Sequence, residues 1–193
     1  MFDKSVILST NKITLRMLKL EDVDALFKVS NDVSIFDYFP VVLNKKEALK
    51  QWVLERLKLF EKEEWLTFVI INNETSKIIG STSFMAISEH HKRVEIGSTW
   101  LGKYFQGKGF NKPCKYLLLT YAFEQWGLER VEFKTDVLNE QSRKAIEKIG
   151  ATQEGIFKNH MTMPNKRRRD SVYYAIVKDD WKEIKNTVFK DLN

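Results

Sequence analysis

A short glycine-rich segment between a strand pattern and a helix pattern is the feature that most limits how this chain can fold. Residues 102–111 hold three of its eight glycines. Apolar residues alternate with polar ones before this segment, over residues 92–101. The residues expected to share one face of that strand are Val94, Ile96, Ser98 and Trp100. After the segment, apolar residues recur at helical spacing, at Cys114, Leu117, Leu118, Tyr121 and Ala122.

A second strand pattern over residues 130–137 follows this helix. Two neighbouring parallel strands need a crossover of this kind, so the order strand, loop, helix, strand predicts one parallel pair. The glycine-rich loop then lies at the crossover, where sheets of this class commonly bind ligands.

The rest of the chain predicts further strands and helices around this crossover. Strand patterns cover residues 13–17, 66–71, 77–87, 153–163 and 171–178. Helical patterns begin near Val23, after Asn44 as an N-cap, and after Asn139 as an N-cap. We therefore expect a mixed α/β (α+β) sheet of about seven strands, mostly antiparallel with one parallel pair, flanked by about four helices. A chain of 193 residues without repeats or linkers is expected to form one domain, residues 1–193.

Composition excludes several classes of protein. One cysteine cannot form an intrachain disulfide, and one cysteine with three histidines makes a structural or catalytic metal site improbable. The first residues lack the order of a signal peptide, and no apolar run approaches the length of a membrane span. A cytoplasmic protein without a metal or a membrane is therefore expected.

The loop itself favours a phosphate group as ligand. Gln106-Gly107-Lys108-Gly109-Phe110-Asn111 follows a strand and opens a helix. Glycines allow close approach of the backbone, and free N–H groups at a helix N-terminus bind anions. Lys108 would add a positive charge. The segment matches neither a Walker loop nor a dinucleotide fingerprint, since Gly109 follows the lysine and Lys112 stands where a third glycine is needed. Taken alone, the hexapeptide is also compatible with a turn that binds nothing.

Several motifs together resemble the GNAT acetyltransferase superfamily, in its RimJ/RimL-like branch, over residues 92–178. They are Gln106-x-x-Gly109-x-Asn111 after the strand, Arg130-Val131-Glu132-Phe133-Lys134-Thr135-Asp136-Val137, Asn139-x-x-Ser142, the segment 145–151, Glu154-Gly155 and Arg169-Asp170-Ser171. That branch includes bacterial enzymes that acetylate the N-terminal amine of ribosomal proteins. Asn111 departs from the pattern, because superfamily members usually carry glycine or alanine there.

The resemblance implies a single GNAT-like domain that moves an acetyl group from acetyl-CoA to a primary amine by direct attack in a ternary complex. The residues that it implies for binding acetyl-CoA are Trp100, Leu101, Gln106, Gly107, Lys108, Gly109, Phe110, Asn111, Asn139 and Ser142. A backbone N–H within residues 99–101 is the expected oxyanion donor.

Two residues are implied as catalytic. Glu95 is the expected general base, acting through water, although a structural glutamate would occupy the same position. Ser142 is the expected hydrogen-bond partner of the coenzyme sulfur. Asn139 and Ser142 also have the spacing of a helix cap, so both could serve only to cap the helix. We favour both roles for the pair.

The identity of the amine is less constrained. At pH 7 roughly 10–20% of an α-amine is neutral, against under ~0.1% of a lysine amine, so a protein or peptide N-terminus needs only a weak base. The alternatives are a small-molecule amine, or a non-catalytic acyl-CoA-binding or RNA-associated module. The formal charge of +6 and the run Lys166-Arg167-Arg168-Arg169 would suit an acidic or ribosomal partner. A monomer or a homodimer is expected.

Overall fold

The computed structural model describes residues 3–192 and contains one eight-stranded sheet with the order β1-β2-β3-β4-β5-β6-β8-β7. Its strands are β1 Ile7–Ser9, β2 Ile13–Met17, β3 Trp65–Asn72, β4 Lys77–Ser88, β5 Arg93–Leu101, β6 Arg130–Asp136, β7 Thr152–Thr162 and β8 Arg168–Val177. Strands β5 and β6 pair in parallel, and the other neighbouring strands pair antiparallel. The predicted mixed sheet with one parallel pair is confirmed.

Five α-helices cover the sheet, and each buries an apolar face. They are α1 Val23–Ser30, α2 Lys46–Glu61, α3 Asn111–Thr120, α4 Glu140–Glu147 and α5 Lys178–Thr187. A single π-helical turn, Tyr121–Gln125, extends α3. Helices α1 and α2 pack on one face of the sheet, and α3, α4 and α5 contribute to the core on the other face. Within residues 3–192, no helix is both long enough and apolar enough to cross a membrane.

Three details differ from expectation. The sheet has eight strands rather than about seven, because β1 is three residues long and too short to show a period. The sequence predicts no fifth helix, because Trp181 and the partly buried Ile184 are the only apolar residues of α5 and do not form a recognisable stripe. Helix α2 has Lys45, not Asn44, at its N-cap.

A bulge in β5 decides the shape of the site. Between the pairs Ser83–Gly97 and Ser81–Trp100, β5 has one residue more than β4, and Ser98 has a φ of 49°. The extra residue reverses the alternation of side chains. Consequently Val94 and Ile96 lie in the same core cluster as α3, whereas Trp100 packs in the cluster of α1 and α2, and the prediction of one shared face is wrong.

Strands β5 and β6 separate a few residues before this bulge. Their parallel pairing covers Arg93–Arg130, Val94–Val131 and Glu95–Glu132 and goes no further. Because the two strands diverge beyond Glu95, a gap opens in the middle of the sheet at their carboxyl ends.

Candidate active site

The gap between β5 and β6 continues into a cleft of about 1250 Å³. The N-terminal residues of α3 and α4, Asn111 and Glu140, both line it, as do Glu95 and Thr135 from the two diverging strands. Parallel strands with helices following them bring two helix N-termini to one edge of the sheet. The cleft therefore has the positive ends of two helix dipoles along its length.

The glycine-rich loop forms one end of this cleft. Gly107 and Gly109 have φ values of 72° and 74°, a region that favours glycine. The Gln106 side-chain amide donates to the Leu101 carbonyl at 3.1 Å and ties the loop to the end of β5. Within residues 3–192, the backbone N–H groups of residues 107–110 have no hydrogen-bond partner. These donors, with the first turn of α3, can bind an anionic group.

Nine of the ten residues predicted to bind the coenzyme line the cleft. They are Trp100, Leu101, Gln106, Gly107, Gly109, Phe110, Asn111, Asn139 and Ser142. Lys108 does not line it: its ammonium lies 3.1 Å from the centre of the Tyr104 ring, and its carbonyl accepts from the Lys12 ammonium at 2.9 Å. The positive charge of Lys108 is therefore engaged in a cation–π contact with Tyr104 and is not part of the cleft wall.

Helix α4 begins with the predicted cap. The Asn139 Oδ1 accepts from the Ser142 N–H at 3.0 Å. Among the described residues, the Ser142 hydroxyl has no hydrogen-bond partner, and it lines the cleft. The pair thus completes the helix end and leaves one hydroxyl available to a ligand.

Glu95 lies at the point where β5 and β6 separate, with 4% of its surface exposed. Its Oε2 accepts from the Lys134 ammonium at 3.1 Å, while its buried Oε1 has no partner among residues 3–192. Burial raises the pKa of the Glu95 carboxyl, and the positive charge of Lys134 opposes this only in part. A buried carboxylate with a free oxygen and a raised pKa is suited to accepting a proton.

Arg169 forms the wall near Glu95, although its sequence position suggests an exposed turn. It is 5% exposed, and its guanidinium donates to the Ser171 hydroxyl at 3.1 Å and to the Tyr38 carbonyl at 3.2 Å. Arg167 forms an ion pair with Asp136. The run 166–169 is therefore not one exposed basic patch, because successive residues of a strand face opposite sides and Arg168 is exposed while Arg169 is buried.

Lys115 is the residue that sequence analysis missed entirely. It is 5% exposed, lines the cleft, and donates from its ammonium to the Thr99 hydroxyl at 2.6 Å. Burial lowers the pKa of its amine. Its position beside Cys114, within the apolar stripe of α3, was the available signal.

Positive charge predominates along the cleft. The basic lining residues are Lys103, Lys112, Lys115, Lys134, Lys144, Lys148 and Arg169, against Asp37, Glu95 and Glu140. In residues 3–192, no group of three or more histidine, cysteine, aspartate or glutamate side chains could hold a metal ion. The cleft is thus suited to an anionic ligand and contains a single deeply buried carboxylate.

Comparison with known proteins agrees with this geometry. Residues 12–152, more than half of the chain, match the family described as acetyltransferase (GNAT) domain. The chain belongs to the GNAT acetyltransferase family. A GCN5-related N-acetyltransferase from Brucella melitensis has the same fold, with a TM-score of 0.91 at 23% identity over 99% of this chain and 87% of that one.

Two relatives from Bacillus subtilis extend the comparison within the GNAT family. The uncharacterised N-acetyltransferase YoaA is 26% identical over 175 residues, which cover 89% of this chain and 97% of YoaA. YdaF, which is named as a ribosomal N-acetyltransferase, is 36% identical over 104 residues, 54% of this chain and 56% of its own length. The chain is therefore an acetyltransferase.

GNAT enzymes use acetyl-CoA as the acetyl donor, and the residues present fit this coenzyme. A Cβ added at Gly107 would meet nothing within 4 Å, so open space lies beside the loop. The unbonded N–H groups of residues 107–110 match the diphosphate, and the basic lining matches its charge.

Proposed function

We propose that this chain acetylates a primary amine, with the N-terminal α-amine of a protein or peptide as the preferred acceptor. The observation that carries the proposal is the Glu95 carboxylate, buried in the cleft with Oε1 unbonded. A wholly structural carboxylate would have hydrogen-bond partners for both oxygens. In the proposed reaction Oε1 of Glu95, buried beside the gap between β5 and β6, accepts a proton from the amine or from a water that contacts the amine.

In the proposed reaction the neutral amine attacks the carbonyl carbon of the acetyl thioester. A C–N bond forms, the C–S bond breaks, and one proton leaves the nitrogen. Glu95 accepts that proton, directly or through water, and the sulfur leaves as a thiolate that is later protonated. In this proposal the Ser142 hydroxyl donates to the sulfur and a backbone N–H within residues 99–101 donates to the carbonyl oxygen, which is supported by their position in the cleft lining.

The charge of the cleft supports a peptide acceptor over a polyamine or an aminoglycoside. Lys134 and Arg169 line the cleft and their charges act on Glu95, so a polycation would be repelled by both. An α-amine brings at most one positive charge, and roughly 10–20% of it is neutral at pH 7. The name of YdaF points to ribosomal proteins as one source of such an acceptor, which would place the chain in the cytoplasm.

Coenzyme binding is tested by calorimetric titration with acetyl-CoA, using two matched glycine variants. Gly107 and Gly127 both have a φ of 72°, and a Cβ at either would meet nothing within 4 Å. Gly107→Ala and Gly127→Ala should therefore lose similar stability, about 1–2 kcal/mol each. Only Gly107→Ala should weaken binding, because only Gly107 lines the cleft. Equal affinities in the two variants would show that the loop is not the coenzyme site.

The acceptor is tested with the wild-type protein and three amines at one concentration. A peptide with a free N-terminus should be acetylated, the same peptide with a blocked N-terminus and an internal lysine should react far more slowly, and spermidine should be a poor acceptor. Preference for spermidine would reject the peptide acceptor and favour a small-molecule enzyme. Coenzyme binding without transfer to any of the three would favour a non-catalytic module.

A further inference from the structure

Lys115 is a buried lysine with no opposite charge beside it in the part of the chain that the structure describes. Its ammonium donates to the Thr99 hydroxyl at 2.6 Å, and that hydroxyl is hydrogen-bonded to the Thr82 hydroxyl at 2.8 Å. No carboxylate among residues 3–192 forms an ion pair with it. An ammonium can donate three hydrogen bonds, so two of its donors remain for a ligand. A buried charge with one neutral partner costs stability, and such a cost calls for an explanation.

The groups around Lys115 are almost all neutral. From β4 and β5 it faces the hydroxyls of Thr82 and Thr99, and from its own helix the Cys114 thiol. Lys112, the other lysine of the first turns of α3, forms an ion pair with Asp191 instead. Burial is consequently the main influence on the Lys115 amine and lowers its pKa.

The position of Lys115 relates it to the glycine-rich loop. It lies four residues after Asn111, and therefore on the same face of α3, about 6 Å further along the helix. Both residues line the cleft together with Gly107 and Gly109. An anion bound at the N-terminus of α3 is thus near enough to interact strongly with a buried amine.

We propose that Lys115 is a binding residue for the diphosphate region of the coenzyme and that its amine gains a proton when the coenzyme binds. This inference rests on the proposed function. In the free protein burial holds the pKa of the amine below its ordinary value. In the complex the negative diphosphate raises that pKa again, and the proton that the amine gains comes from the buffer. The coenzyme thereby supplies the counter-charge that Lys115 does not find among the described residues.

The first test is calorimetric titration of the full chain with acetyl-CoA in two buffers of different protonation enthalpy, from neutral to alkaline pH. The difference in heat between the buffers gives the number of protons taken up. As the pH is raised, proton uptake by the wild-type protein should increase towards one proton per bound coenzyme. At still higher pH it should fall again, because the amine of the complex then also loses its proton. Lys115→Met should take up none, and Lys50→Met, which alters an exposed lysine of α2, should behave as wild type.

The second test separates a binding role from a structural one. Without coenzyme, Lys115→Met should be as stable as wild type or more so, because it removes a buried, unpaired charge. Its affinity for acetyl-CoA should nevertheless be about 10- to 100-fold lower. Lys115→Arg, which keeps the charge, should bind without proton uptake, because an arginine is already protonated. A structural lysine would instead give a less stable protein.

Each failure has a separate meaning. Wild-type protein that binds acetyl-CoA without taking up a proton at any pH would overturn the inference, even if Lys115→Met does not fold. A Lys115→Met variant with wild-type affinity would overturn it as well. Both results would leave the proposed function intact, whereas wild-type protein that binds no acetyl-CoA would remove the proposed function itself.

Discussion

At the scale of single residues, the site depends on one carboxylate that the fold keeps out of water. Glu95 is paired with Lys134 through one oxygen, and its other oxygen has no partner among the described residues. Because burial raises the pKa of this carboxyl, the folded protein retains the Glu95 proton to higher pH than the unfolded chain does. The stability that this gives is present below the ordinary glutamate pKa and is lost as the pH rises through the raised one. Once the pH has risen through that raised pKa, the ionised, buried Glu95 is a cost to stability that a catalytic role would explain.

Glu95→Gln should lower the rate of acetyl transfer by about 10²- to 10⁴-fold, because the amide cannot accept a proton. The wild-type rate should rise with pH through the raised pKa of Glu95, and this rise should be missing in the variant. A rise at higher pH should persist in both proteins, because it belongs to the acceptor amine. Steady-state rates across pH measure both effects, and thermal unfolding should find the variant at least as stable at neutral pH.

Glu132→Gln is the matched control, because Glu132 pairs with Glu95 in the parallel register but does not line the cleft. It forms ion pairs with Arg93 and Arg130. Its substitution should lower stability slightly and keep the rise of the rate with pH, moved to slightly lower pH because the Glu132 charge contributes to the raised pKa of Glu95. If Glu95→Gln also kept that rise, Glu95 would be a structural residue.

At the scale of elements, the close contact between β4 and β5 allows only a glycine at one position. Gly80 faces the end of β5, where a Cβ would lie 2.1 Å from the Trp100 carbonyl oxygen and 2.9 Å from the Leu101 Cα. Both are backbone atoms, which cannot move without shifting the strand. Glycine at this position thus allows the bulged end of β5 to stay paired beside the cleft.

Gly80→Ala should lower the free energy of unfolding by about 2–4 kcal/mol, because the backbones of β4 and β5 would have to separate. Urea denaturation measures the loss. The control is Gly155→Ala on β7, where a Cβ would meet nothing within 4 Å, and which should change stability by less than about 0.5 kcal/mol. Similar losses in the two variants would mean that β5 can shift to accept the methyl group.

At the scale of the whole molecule, part of the excess positive charge lies along the cleft. The chain has a formal charge of +6, and basic residues outnumber acidic ones along the cleft. A positive cleft raises the local concentration of an anionic coenzyme and speeds its association.

Association with acetyl-CoA should therefore slow several-fold as ionic strength rises from about 0.01 M to about 1 M, since the Debye length falls from about 30 Å to about 3 Å. The dissociation rate should change much less, because contacts inside the cleft are poorly screened. Stopped-flow measurements of both rate constants test this. If salt mainly raised the dissociation rate constant, the positive charge would stabilise the bound coenzyme rather than speed its association.

The sequence by itself determined the order of most elements, the parallel crossover and the loop at its centre. Those features depend on the spacing of apolar residues and on the positions of glycines, which are local properties of the chain. The cap formed by Asn139 is local for the same reason, since its partner Ser142 is three residues away.

Only the tertiary structure decided the features that depend on distant segments. The extra residue of β5 is defined by pairing with β4, and it alone moves Trp100 to the opposite face from Ile96. Arg169 is buried because it reaches the Tyr38 carbonyl, 131 residues earlier. Lys115 is buried because α3 lies against β5 at Thr99. A local sequence pattern always predicts that a charged residue is exposed. Its burial depends on how distant elements pack together, which the local pattern does not contain.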